Sequence, residues 1–119
     1  MIERIGLWHA VLPITITLVG AIALVLCAVA ALRRQAGGAS LAVAIGILGW
    51  LLAAQALLGG ALALTGVPVA PLHLIYGVLA AGAIPLLRRL VPDDAAPTTL
   101  LVIIVLALAL AWRASATGH

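Results

Sequence analysis

Apolar residues in this chain fall into four long runs, each bounded by charged residues, prolines or glycines. The pattern predicts four helices, at about residues 7–32, 40–65, 71–88 and 98–113. A helix of about 20 residues crosses a hydrocarbon core about 30 Å thick, and the first two runs exceed this length. The fourth run is shorter, so we expect Arg113 at its end to snorkel toward the lipid headgroups. The predicted fold class is all-α: a transmembrane four-helix up-down bundle that forms a single domain over residues 1–119.

The composition indicates that lipid is the solvent of this bundle. Hydrophobic residues make up 66% of the chain and charged residues 8%, whereas soluble chains carry about a quarter charged residues. A soluble domain of 119 residues could not hide so much apolar surface. The net charge of +3 comes from arginines near the ends of apolar runs, not from a basic stripe interleaved with aromatics, so nucleic acid is not an expected partner. The first run is too long for the apolar region of a signal peptide, and we interpret it as a mature helix.

The placement of arginines predicts the orientation. Arg33 and Arg34 follow the first helix, and Arg88 and Arg89 close the third, whereas the loop between the second and third helices has no charge. Lys and Arg concentrate in cytoplasmic loops. Both arginine-containing loops are therefore expected inside, and both termini outside, in the cell (inner) membrane. Single arginines near each terminus oppose this assignment only weakly.

Polar side chains are rare inside the predicted spans, and such residues are the default candidates for function in a membrane protein. His9, Gln55, His73 and Tyr76 are the main candidates. No Asp, Glu or Lys lies deep in a span, which argues against proton-coupled transport and against the small multidrug exporters of similar length. A lone intramembrane glutamine also serves as hydrogen-bonded glue between helices, so Gln55 has a structural interpretation as well.

The two histidines are the most informative pair. His9 lies near the start of the first helix and His73 near the start of the third. Odd-numbered helices of an up-down bundle run parallel and can face each other across the interior, so both imidazoles are expected at one depth near the outer face. Two such imidazoles are what a six-coordinate haem iron needs as axial ligands, and Gly20 and Gly77, at helical spacing below them, leave room for a flat ring. The alternative is that both histidines are ordinary interfacial anchors.

The segment of residues 55–74, QALLGGALALTGVPVAPLHL, resembles the haem A synthase family. In that family a helix with the pattern Q-x-x-L-G-G leads through a T-G-x-P turn to a helix that opens with a haem-ligand histidine. The resemblance extends over the first three helices, where His73 matches the ligand after the turn and His9 the ligand on the earlier parallel helix. It implies a four-helix bundle whose paired histidines hold haem b near the outer face.

The chain also departs from that family. Haem A synthases contain two copies of this unit, and this chain contains one. Their first ligand histidine follows a glutamate by one helical turn and precedes an arginine, but Ile5 and Ala10 occupy those places here. The acid associated with methyl oxidation is therefore missing from its usual position, and the resemblance favours haem binding over synthase activity.

The expected function is that of a small membrane haem b protein, with His9 and His73 as iron ligands and Gly20, Gly77, Gln55 and Tyr76 around the cofactor. Electron transfer as a subunit or accessory of a respiratory or photosynthetic complex is the expected role, with other membrane subunits or further copies of the chain as partners. Two alternatives stay open. One is a haem-modifying enzyme that acts as an oligomer, and the other is a haem-free structural subunit.

The orientation makes a direct prediction. Cysteines introduced at Gly38 and Ala95 should resist a membrane-impermeant thiol reagent in whole cells, because both lie in the arginine-containing loops. A cysteine at Val69, in the uncharged loop, should react. Labelling in the opposite pattern would reverse the orientation.

Overall fold

A computed structural model, which describes residues 1–92 and 94–118, shows four long α-helices. They are α1 (Ile2–Leu32), α2 (Gly38–Leu64), α3 (Pro71–Leu90) and α4 (Pro97–Thr117). Each helix is long and apolar enough to cross a membrane, which makes the chain a multi-pass membrane protein. The described residues contain no strand. The predicted all-α fold class is confirmed.

The helices pack in cyclic order. α1 lies beside α2 and α4, and α3 lies beside the same two helices, which leaves α1 and α3 diagonal to each other. Connections of a few residues join successive helices, so neighbours run antiparallel and the diagonal helices run parallel. The bundle is elongated, with extents of 49 × 23 × 20 Å.

The core concentrates away from the two histidines. The largest fully buried side chains are Cys27, Leu41, Leu48 and Ile104, contributed by α1, α2 and α4. No polar or charged side chain is fully buried among the described residues. Large aliphatic side chains such as Leu18, Ile22 and Val25 instead face outward. Outward aliphatic side chains of this kind suit a lipid environment.

Both terminal helices are longer than the sequence predicts. α1 begins at Ile2 rather than near residue 7, with Glu3 in its first turn, where a negative charge is favourable beside the free N–H groups. α4 continues to Thr117 rather than ending near residue 113. Its last turns tolerate polar residues because the Ser115 and Thr117 hydroxyls donate hydrogen bonds to the Ala111 and Arg113 carbonyls, at 3.2 and 3.0 Å. The bounds of α2 and α3 agree with the predicted bounds to within two residues.

The longer α4 changes the role predicted for Arg113. A helix of 21 residues is about 30 Å long and needs no snorkelling side chain to span the bilayer. The Arg113 guanidinium instead lies over the ring of Tyr76 on α3, with its central carbon 5.6 Å from the ring centroid. This cation–π contact ties α4 to α3 near the ends of both helices.

Candidate functional site

His9 and His73 face each other across the bundle. His9 lies in the third turn of α1 and His73 in the first turn of α3, where Pro71 starts the helix with a preset backbone angle. The centroids of the two imidazole rings are 5.9 Å apart, and the ring planes meet at 78°. The prediction that parallel diagonal helices bring these two side chains together is confirmed.

A hydrogen bond from α4 determines the tautomer of His73. The Nδ1 atom lies 2.6 Å from the backbone carbonyl oxygen of Ala114. A carbonyl only accepts, so Nδ1 carries a proton and donates it, and in the neutral ring Nε2 is the nitrogen with the lone pair. This is the arrangement in which metal-binding histidines are usually held. The C-cap of α4 closes over the same ring, because a Cβ on Gly118 would lie 2.8 Å from Nδ1.

A proline sets up the contact that holds His9. In a regular helix the carbonyl of His9 would accept from the N–H of residue 13, but residue 13 is proline and has none. The side chain of Gln55, on α2, supplies the missing donor: its Nε2 donates to the His9 carbonyl oxygen at 3.0 Å. The backbone of α1 is therefore bonded to α2 at the level of the His9 ring.

The ring of His9 packs directly against the backbone of α2. A Cβ on Gly59, one turn after Gln55, would lie 3.1 Å from the His9 Cε1 atom, so a larger residue there would push the ring away by a few tenths of an ångström. Nδ1 of His9 and Oε1 of Gln55 are both buried without a hydrogen-bond partner. Buried polar atoms normally have partners, so the site has unused capacity to bind.

A cavity of about 420 Å³ extends from the histidines into the bundle. All four helices contribute to its mostly apolar walls, including Pro13, Ile16, Leu52, Ala56, Gly60, Ala80 and Ala111. Some of its lining residues are exposed, among them Thr17 on α1, Val78 on α3 and Trp112 on α4. The cavity is therefore a slot among the four helices that is open to the surface.

Two of the residues predicted to surround a flat ring do line this slot. Gly77 lies on its wall, and a Cβ there would meet nothing within 4 Å, so the space beside it is open. Gln55 also lines the slot.

Gly20 and Tyr76, which the sequence also suggested for this site, do not line the slot. The space beside Gly20 is taken by Leu108 of α4, whose Cδ2 would lie 2.6 Å from an added Cβ, so this glycine serves close packing of α1 on α4. Tyr76 lies outside the slot, on the side of α3 that contacts Arg113.

The sequence did not predict that α4 contributes to the histidine site. Ala114 supplies the acceptor for His73, and Ala111, Trp112 and Ser115 line the slot. The sequence Ser-Ala-Thr-Gly at residues 115–118 could have indicated that α4 extends past residue 113. Serine and threonine hydroxyls can bond to carbonyls of their own helix, and glycine can end a helix.

The donor set fits a haem iron better than a bare metal ion. Among the described residues, no group of three or more His, Cys, Asp or Glu side chains is arranged to hold a metal, and a haem needs only two protein ligands because the porphyrin supplies the other four. An imidazole nitrogen lies about 2 Å from a metal that it binds, and the ring centroid lies about 1 Å further. An iron held between two imidazoles would place their ring centroids about 6 Å apart, and the observed separation of 5.9 Å leaves room for one.

No protein-family model, curated protein or solved structure matches this chain. The interpretation of the site therefore depends on its own geometry.

The bond between Gln55 and His9 can be tested by a double-mutant cycle. Gln55→Leu should destabilise the bundle by about 1 kcal/mol, because it removes the donor to a carbonyl that has no partner in its own helix. In a Pro13→Ala background the same change should cost much less, since the N–H of residue 13 then bonds to the His9 carbonyl. Thermal unfolding of the four proteins in one detergent measures the coupling. Equal costs in both backgrounds would contradict this account of Gln55.

Proposed function

We propose that this protein is a membrane haem b protein in which His9 and His73 are the axial ligands of one haem. The observation that supports this most strongly is the state of His73. Its Nδ1 proton is engaged by the Ala114 carbonyl, which leaves Nε2 free to bind iron, while the ring faces a second imidazole 5.9 Å away. If the histidines were only interfacial anchors, their rings would not have to lie at the same depth on diagonal helices. Nor would His73 have to donate to a backbone carbonyl of α4.

The rest of the site supports the same ligand. The slot has a volume within the usual range for small-molecule sites, about 300–1,000 Å³, and mostly apolar walls suited to a macrocycle. Gly59 lets α2 approach the His9 ring, and Gly77 keeps the wall of α3 open. When bound, haem would supply reversible one-electron chemistry.

The chain's own residues would orient and tune such a group. Gln55 holds the backbone of His9, and the Ala114 carbonyl holds the ring of His73, so both ligands are held by contacts from neighbouring helices. Apolar walls limit the access of water and disfavour added positive charge, which favours the reduced state of iron.

Electron transfer is the role that we propose, at the outer face of the cell membrane and within a larger respiratory or photosynthetic assembly or an oligomer. The resemblance of residues 55–74 to haem A synthases supports haem binding, but Ile5 and Ala10 stand where that family has a glutamate and an arginine. No described carboxylate lines the slot to serve as a catalytic acid or base. A slot whose described lining contains no carboxylate favours electron transfer over haem modification.

The absorption spectrum tests the proposal. The protein expressed with ample haem should show a sharp reduced α-band of b type, because two nitrogen ligands make the iron low-spin. His9→Ala and His73→Ala should each convert the iron to high spin or abolish the band. His119→Ala, at a histidine outside the described residues, should leave it unchanged. A wild-type protein that purifies colourless would instead favour a haem-free structural subunit.

Filling the slot provides a test that leaves both histidines intact. Gly77→Leu should reduce haem occupancy at least tenfold, because its side chain enters the open space of the slot. Gly82→Leu is the matched control, since Gly82 lies on the same helix, has equal room for a Cβ and does not line the slot. The ratio of haem absorbance to protein measures occupancy. Equal occupancy in the two variants would show that haem, if bound, lies elsewhere.

A further inference from the structure

A second cavity, of about 530 Å³, lies at the opposite end of the bundle from the histidines. It is enclosed by the α1–α2 connection, the end of α3 and the start of α4. Two arginines that are far apart in sequence, Arg34 and Arg88, both line it. We propose that this cavity binds a phosphate group, presented by an anionic phospholipid of the surrounding bilayer.

The backbone conformation at Arg34 supports this assignment. Arg34 has φ 51°, in the left-handed region that side chains other than glycine rarely adopt. The Gln35 N–H donates to the Ala30 carbonyl at 2.9 Å, the bond that ends a helix after one left-handed residue. Glycine usually fills this position because it has no Cβ to strain. Here the position is an arginine whose residue lines the cavity, although the backbone conformation would favour glycine.

The charge of the cavity also suits an anion. Its described lining contains two guanidinium groups and one carboxylate, that of Asp94. Counted along the sequence, the two connections at this end carry four arginines and two aspartates, so this end has a net positive charge. Guanidinium groups bind phosphate oxygens through paired N–H donors, and this cavity is lined by two of them from separate segments of the chain.

The position of the cavity identifies the carrier of the phosphate. The cavity lies where four apolar helices end, which is the depth of the lipid headgroups. On its inner side the walls are apolar, with Leu41 and Leu100 among them, so they suit the glycerol and first acyl carbons that follow a lipid phosphate. Basic pockets of this kind between membrane helices bind anionic headgroups.

The test uses the purified full-length protein in phosphatidylcholine nanodiscs to which phosphatidylglycerol is added. Native mass spectrometry counts retained lipid, and thermal unfolding reports stabilisation. Phosphatidylglycerol should bind more tightly than phosphatidylcholine, and Arg34→Gly and Arg88→Gln should each weaken that preference about fivefold. Arg34→Gly suits the left-handed backbone, so this variant should fold at least as well as the wild type without the lipid.

Arg33→Gln and Arg89→Gln are the matched controls, because they remove the same charge beside the cavity without changing its lining. Both should keep the preference for phosphatidylglycerol to within about twofold. If inorganic phosphate alone stabilises the protein and depends on the same two arginines, the phosphate site stands and its source is soluble. Equal losses in all four variants would show only a diffuse surface charge, and no preference for the anionic lipid would overturn the proposal.

Discussion

The bundle is organised around a carbonyl group that cannot bond within its own helix. Pro13 deprives the His9 carbonyl of its helical donor, and Gln55 replaces that donor from α2. An unpaired carbonyl is costly in the apolar interior of a membrane protein, so this one bond sets the relative height of α1 and α2. That height places the ring of His9 on Gly59, where α2 has no side chain. The position of one imidazole thus follows from a proline one turn away and a glutamine on the next helix.

The two ends of the bundle are packed for different purposes. Leucine, isoleucine and cysteine side chains fill the interior at the end away from the histidines, with Leu48 and Ile104 fully buried. Around the histidines, the slot is lined in part by small residues, among them Gly59, Gly77 and Ala111. These small side chains leave space between the helices. Well-filled interiors resist rearrangement. A tightly packed half can therefore support an open half without collapse of the slot.

The sequence was sufficient to predict the parts that depend on periodicity and topology. Four apolar runs with short connections specify an up-down bundle, and the parallel relation of the first and third helices brings His9 and His73 together. Periodicity also places Gly20 on an inward face, but it does not reveal which side chain the neighbouring helix puts there, and Leu108 takes the space. Ala114 escaped prediction because its role belongs to a backbone carbonyl, which any residue would supply.

The central claim is that one iron lies between these two imidazoles, and electron paramagnetic resonance of the oxidised protein tests it most directly. The imidazole planes meet at 78°, and nearly perpendicular axial ligands leave two iron d orbitals close in energy. A highly anisotropic low-spin ferric signal is therefore expected, and it should disappear in His73→Ala. A haem-loaded protein that shows only a high-spin signal, or a low-spin signal that persists in His73→Ala, would contradict the claim.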